Sequence, residues 1–124
     1  MRKENSTNSI NKNYLNTNCG ITYTLSRISG RWKINILAFL LNEKRLRYVE
    51  IKEKLACAGV SEKVLAAKLK ELETDGLVKR VVLQQVPPKV EYEATGLACS
   101  LKQILFLMDE WGEAKLREIT KPLI

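Results

Sequence analysis

The sequence predicts a mainly α-helical fold with a small β-hairpin, built as one domain from 124 residues. Two observations predict it. Apolar residues recur at helical spacing in several segments, and beyond Gly76 the spacing changes to a period of two. Three helical segments, with a four-residue turn between the second and the third, lead directly into the hairpin. This is the element order of a winged helix-turn-helix, and we expect extra N- and C-terminal dimerisation helices around it.

The first elements follow from composition and spacing. Residues 1–17 are polar and rich in asparagine, which predicts a flexible N-terminal arm before a single winged-helix domain over residues 18–124. A helix is expected to begin near Cys19, with apolar residues at i, i+4 and i+7, and to end at Gly30 through a left-handed residue. The next helix, about Trp32 to Leu41, is apolar on most sides and should be the buried central helix.

The helix-turn-helix is predicted over about residues 47–76. Its first helix turns Ile51 inward, and the second begins where Ser61 can accept a backbone N–H group. Leu65, Leu69 and Leu72 then form an inward stripe at helical spacing. The opposite face of this second helix is therefore expected to be exposed.

A wing hairpin is predicted over about residues 77–94, with Pro87 and Pro88 in its turn, and a last helix over about 96–118. The apolar stripe of that helix is wider than a three-helix core needs. Dimerisation is the better explanation, although a helix folded back on its own domain stays open. The stripe residues predicted at the interface are Leu101, Ile104, Leu105, Met108 and Trp111.

The charge is distributed unevenly. The net charge is +7, and it resides in the first two-thirds of the chain, because residues 81–124 carry five basic and six acidic side chains. This distribution favours an anionic partner, and specifically double-stranded DNA, that binds the first two-thirds of the chain. The alternative is that the basic pI of about 9.4 serves only solubility.

Several classes of function are not expected. The chain has no histidine, and its three cysteines are far apart, so we predict neither a metal site nor a cofactor. The sequence also lacks a nucleophile motif, a phosphate-binding loop and paired catalytic carboxylates, so we do not expect an enzyme. No apolar run is long enough to span a bilayer and no secretion signal is present, so a cytoplasmic protein without membrane contact is expected.

The predicted DNA interface combines the second helix of the helix-turn-helix with the wing. Small side chains would let that helix approach base edges, while lysines around them reach phosphates or guanine. Taken singly, each lysine could equally be an ordinary solvated residue. The predicted recognition-helix contacts are Ser61, Lys63, Ala66, Ala67, Lys68 and Lys70, and the predicted wing contacts are Lys79, Arg80 and Lys89.

The sequence resembles the HxlR-type family of bacterial winged-helix regulators. The resemblance covers about residues 19–113. It is carried by Cys19-Gly20-Ile21, Ile28-Ser29-Gly30-Arg31-Trp32, Leu46-Arg47-Tyr48-Val49-Glu50-Ile51, Val60-Ser61-Glu62-Lys63-Val64-Leu65, Leu69-Lys70-Glu71-Leu72-Glu73-Thr74-Asp75-Gly76-Leu77-Val78, Val86-Pro87-Pro88-Lys89-Val90-Glu91-Tyr92 and Glu110-Trp111-Gly112. It implies a homodimeric regulator of operator DNA, with the first helix, through Ile21 and Leu25, joining the last helix in the interface.

The chain departs from the family pattern at several positions. Gly20 and Glu62 stand where proline is usual, and Tyr48 stands where phenylalanine is usual. Ala66 and Ala67 replace polar residues of the recognition helix, so the operator sequence does not follow from the resemblance.

Cys19 matches the position at which some members of this family sense oxidants or electrophiles. A thiol at a helix N-terminus has a lowered pKa, and nearby Arg27, Arg31 or Lys33 could lower it further. The alternative is a small apolar residue packed at the interface. Cys57 and Cys99 are expected to be structural, and any small-molecule or electrophile inducer is unknown.

A second class of function also remains open. A winged-helix domain can act as a protein–protein interaction module without binding DNA, docking through the hairpin or the apolar last helix.

Overall fold

The computed structural model describes residues 17–120, so all of the predicted flexible arm except Thr17 lies outside the described residues. The helices are α1 (Gly20–Ile28), α2 (Lys33–Asn42), α3 (Tyr48–Lys54), α4 (Glu62–Thr74), α5 (Gly96–Cys99) and α6 (Lys102–Ile119), and a 3₁₀ turn covers Ala56–Ala58. The strands are β1 (Arg45–Arg47), β2 (Val78–Leu83) and β3 (Lys89–Ala94). The mainly helical fold with a small sheet, in winged helix-turn-helix order, is confirmed.

The sheet has three strands, because the short strand β1 in the connection before α3 joins the predicted hairpin. The strand order is β1-β3-β2, and both pairings are antiparallel. Val78 lies opposite Ala94 at one end of the hairpin and Leu83 opposite Lys89 at the other. β1 pairs with the outer edge of β3, where Arg45 bonds Glu93 at 2.7 Å and lies 3.6 Å from Glu91. The short strand before α3 thereby ties the wing to the helix-turn-helix.

The core lies between α2, α3, α4 and the sheet. Ile36, Leu37 and Leu40 of α2 are buried, as expected for the central helix. Leu65, Leu69 and Leu72 of α4 are at most 2% exposed, which confirms the predicted inward stripe. The burial of three leucines fixes the rotation of α4, because each contributes roughly 1.5–3 kcal/mol when removed from water. The opposite face of α4 therefore points away from the core.

The turn between α1 and α2 agrees with the prediction at Gly30, which has a positive φ of 113°. It differs at two other points: α1 already ends at Ile28 with an extended Ser29, and Trp32, with φ 81°, is a second left-handed residue before the next helix. α2 accordingly begins at Lys33 and not at Trp32. The left-handed region is uncommon for a bulky side chain and persists only where surrounding structure holds it. Here the Trp32 ring packs partly buried against the core.

The predicted single helix over residues 96–118 is wrong in one respect: it is divided into α5 and α6 at Ser100 and Leu101. The Ser100 hydroxyl donates to the Leu97 carbonyl at 2.5 Å, and the Leu101 N–H bonds Ala98 three residues back. The hydroxyl bond engages the Leu97 carbonyl, and the three-residue spacing of the Leu101 bond replaces the four-residue spacing of an α-helix. α5 is anchored by fully buried Ala98, whereas no residue of α6 is buried.

No helix within residues 17–120 combines the length and apolar character that a bilayer span requires.

Candidate nucleic-acid interface

The helix-turn-helix is formed by α3, the 3₁₀ turn and α4. Gly59 adopts a left-handed conformation (φ 74°) after the 3₁₀ turn, which lets the chain turn sharply before Ser61. The Ser61 hydroxyl accepts the Val64 N–H at 3.2 Å and so caps α4, as its sequence position predicts. α4 has 13 residues and is about 20 Å long, enough to lie along a major groove.

The exposed face of α4 carries Lys63, Ala66, Ala67 and Lys70, which lie on one side because they are three or four residues apart. Neither Lys63 nor Lys70 forms an ion pair with any residue in the described range 17–120. We call these four residues the α4 face. It combines two uncompensated positive charges with a strip of small side chains.

Lys68 lies to the side of the α4 face. It is partly buried, and its ammonium group lies 3.3 Å from a carboxylate oxygen of Glu71 in the next helical turn. This partner neutralises part of its charge. Of the predicted recognition-helix residues, Lys68 is therefore the one least available to a ligand.

The start of α4 carries a carboxylate that would repel an anion, and the fold compensates it. Lys52 of α3 makes a close charged hydrogen bond to Glu62. This bond lowers the pKa of Glu62 and raises the pKa of Lys52, so both groups stay charged at neutral pH. Because the folded-state pKa of Glu62 is depressed, the pair weakens only as the pH falls below the ordinary glutamate range.

The wing cations divide into two groups. Lys79 and Arg80 are exposed and form no ion pair among residues 17–120, and Arg80 shares a cleft of about 310 Å³ with Ala66, Lys70 and Glu73. Lys89 is only partly exposed and lies 3.8 Å from Glu91. Arg80 thus extends the α4 face onto β2, whereas the charge of Lys89 is compensated in part by Glu91, which also contacts Arg45.

The C-terminal end of α4 is held by ion pairs that the sequence did not reveal. Asp75 lies 3.4 Å from Arg27 of α1 and 3.8 Å from Lys33 of α2, and Lys33 also lies 3.6 Å from Glu71. Lys33 is only 7% exposed. Lysine side chains are seldom buried to this extent unless a carboxylate pairs with them, as Asp75 and Glu71 do here. These contacts join α1 and α2 to the end of α4.

Cys19 directly precedes α1 and is partly exposed. Hydrogen bonding from the Thr22 side chain is the main influence that lowers the pKa of the Cys19 thiol, and backbone N–H groups of Thr22 and Ile21 add to it. The expected contribution of nearby cations is wrong. Arg27 and Lys33 pair with Asp75, and Arg31 stacks on Trp32.

Cys57 and Cys99, which the sequence predicts to be structural, are both exposed. Within residues 17–120, no cluster of histidine, cysteine and acidic side chains has the arrangement of a metal site.

The predicted dimer residues also fall into two groups. Ile21, Leu25, Ile104, Met108 and Trp111 are exposed, with Ile21 at 76% and Trp111 at 69%. Leu101 and Leu105 are instead half-buried and pack against the molecule's own core. The predicted interface did not include four further exposed residues of α6, although each has an apolar side chain: Phe106, Leu107, Leu116 and Ile119.

Comparison with known proteins decides the family. A family model described as HxlR-like helix-turn-helix matches residues 27–120. The chain belongs to the HxlR family of helix-turn-helix transcriptional regulators. The HxlR match spans α2 to α6, and it therefore covers α3, α4 and both strands of the hairpin.

Individual HxlR-type relatives agree with this assignment. The chain is 48% identical over 95 residues to the regulatory protein MalR of Fusobacterium mortiferum, covering 77% of this chain and 88% of MalR. It is 40% identical over 96 residues to the HTH-type transcriptional regulator YybR of Bacillus subtilis, covering 77% and 74%. Among solved structures, the redox regulator HypR in its oxidised form is similar, with a TM-score of 0.70, 38% identity and coverage of 77% and 96%.

Proposed function

We propose that this HxlR-type regulator binds operator DNA as a homodimer, with the α4 face of each subunit in a major groove. The single observation that carries the proposal is the rotation of α4. Its buried leucines point to the core, and the opposite side presents small residues between two unpaired lysines. Alanine side chains allow the helix backbone to approach base edges, and the lysines reach phosphate oxygens or guanine acceptors.

The wing would contact the adjacent backbone or minor groove. Arg80 and Lys79 are the effective wing cations in this proposal, because both are exposed and uncompensated in the described chain. Lys89 and Lys68 contribute less, since Glu91 and Glu71 hold their ammonium groups. Ser61 takes part at the start of α4, where its hydroxyl group and the first free N–H groups suit a phosphate.

A homodimer explains the apolar surface of α1 and α6. α6 has 18 residues, about 27 Å of helix, yet no side chain in it is buried within one subunit. A helix in a protein derives most of its stability from packing its apolar face against another surface. We therefore propose that Ile21, Leu25, Ile104, Met108 and Trp111 meet a second copy, which also supplies the second half-site that specific recognition requires.

A selection of bound fragments from genomic DNA tests this function against the alternative of a protein-interaction module. We expect enrichment of a few fragments that share a two-fold symmetric sequence. Recovery of no DNA, together with a stable complex with another protein, would instead support the interaction module. Since the relatives of this chain are transcriptional regulators, we propose a regulatory and not a catalytic role. We propose a cytoplasmic location, because a regulator must reach the DNA that it binds.

We further propose that modification of Cys19 modulates DNA binding. The partly exposed thiol with a lowered pKa supports this, because the thiolate is the form that attacks electrophiles. The similarity to HypR, a redox regulator, supports it as well. α1 begins beside Cys19 and forms an ion pair with the C-terminal end of α4 through Arg27 and Asp75, and this contact supports a coupling between the thiol and α4.

Treatment with a quinone, which alkylates thiolates, is expected to change the DNA affinity of the wild type but not of Cys19→Ser. Fluorescence anisotropy with a selected duplex measures the affinity. Cys57→Ser and Cys99→Ser are matched controls, because both thiols are exposed, and each should respond as the wild type does. An undiminished response in Cys19→Ser would refute the role of Cys19 and leave DNA binding itself unaffected.

A further inference from the structure

The turn between α1 and α2 adjoins the N-terminal end of α4. Arg31 and Trp32 line a shallow cleft of about 280 Å³, whose other wall is formed by Gly59, Val60 and Ser61 of the helix-turn-helix. The side chains of the α1–α2 turn are thus placed next to the start of the proposed recognition helix. Neither the wing nor the α4 face includes this turn.

Trp32 orders the Arg31 side chain. The Trp32 ring is partly buried against the core, and the left-handed backbone at Trp32 is held in place by that packing. The Arg31 guanidinium lies over the ring, 5.3 Å from its centroid. A cation–π contact restrains the guanidinium without using its N–H groups as hydrogen-bond donors to a carboxylate or carbonyl, so those groups can bond an anion.

Arg31 also differs from other cations of the first helices in having no carboxylate partner within the described chain. Arg27 and Lys33 both contact Asp75, and Lys52 pairs with Glu62. Arg31 is exposed and forms no ion pair within residues 17–120. An ordered, uncompensated guanidinium beside a helix start is suited to the bidentate recognition of a phosphate.

We propose that Arg31, positioned by Trp32, is an additional contact to the DNA backbone, on the far side of α4 from the wing. The inference rests on the proposed function, because it assumes that α4 enters the major groove. A duplex on α4 would then be held by phosphate contacts at both sides of the groove, from Arg31 at one and from Arg80 and Lys79 at the other. A phosphate contact positions the protein without reading sequence.

The test compares Arg31→Ala with the wild type on a selected duplex and on a random duplex of equal length, by fluorescence anisotropy at several salt concentrations. We expect the affinity for both duplexes to fall by the same factor, roughly tenfold. The slope of log affinity against log salt should become shallower by about 2 in a dimer, because one phosphate contact is lost per subunit. The affinity of Arg31→Lys, which keeps the charge but lacks the planar guanidinium, should lie between those of Arg31→Ala and the wild type.

Arg117→Ala removes the same charge from the last turn of α6 and should leave affinity and slope unchanged, while circular dichroism verifies that both variants fold. Wild-type affinity in Arg31→Ala, alongside weakened binding when the α4 face lysines are removed, would overturn the inference and leave the proposed function standing. A loss confined to the selected duplex would also overturn it. If removal of the α4 face lysines has no effect either, the proposed function itself fails.

Discussion

Replacing Lys63 and Lys70 together by alanine is expected to reduce the affinity for a selected duplex by roughly 100-fold or more at 0.1 M salt. Four positive charges leave the two recognition helices of a dimer, and each one contributes either counterion release or a hydrogen bond to a base. Alanine is a better helix former than lysine, and both lysines are exposed, so α4 should remain intact. Fluorescence anisotropy measures the affinity, and circular dichroism measures the helix content.

The control for this pair is Lys102→Ala with Arg117→Ala, which removes an equal charge from α6. The control should bind as the wild type does, apart from a small uniform effect of net charge. If the two double variants lose affinity equally, binding reflects overall charge and not the α4 face. Unchanged affinity in the α4 variant would contradict the placement of that helix in the groove.

Substituting Met108 by aspartate is expected to convert the dimer into monomers. Met108 lies in the middle of the exposed stripe of α6, between Ile104 and Trp111. In a symmetric interface the substitution places two carboxylates in apolar surroundings, and each unpaired buried charge costs several kcal/mol. Sedimentation equilibrium should report 14.2 kDa for the variant and twice that mass for the wild type.

Gln103→Asp is a matched control on the same helix, because residue 103 lies about 140° around the helix from Met108. This variant should remain dimeric. Leu105 is a poor choice for such a test, since it packs against the core and aspartate there would also destabilise the subunit. A wild-type protein that sediments as a monomer would refute the proposed interface directly.

The order of the elements and the orientation of α4 could be predicted from the sequence because both are encoded locally. Leu65, Leu69 and Leu72 recur at helical spacing, so the face opposite them follows from geometry. Ser61 caps α4 as its position predicts, and its hydroxyl accepts a backbone N–H from three residues later, as the Thr95 hydroxyl does for α5.

The features that could not be predicted depend on contacts between distant segments. The pairing of β1 with β3 joins residues that are 44 to 48 apart, and the pair of Lys33 with Asp75 crosses from α2 to the end of α4. Neither leaves a periodic signal. The break at Ser100 is local, but a serine within a helical pattern forms such a bond only in some contexts, here where buried Ala98 anchors α5.

The candidate site shows the same division. The exposed lysines of the α4 face follow from helix geometry, and the weakened role of Lys68 could have been found from Glu71 three residues later. The half-burial of Leu101 and Leu105 could not, because it depends on where the chain turns between α5 and α6.

The salt dependence of binding to a selected duplex tests the central claim most directly. A dimer whose α4 faces, wings and α1–α2 turns meet the DNA backbone engages about six to ten phosphates, so log affinity should fall against log salt with a slope of roughly −5 to −9. A slope near zero on a duplex that the protein prefers would contradict the claim that this uncompensated basic surface is what meets the DNA.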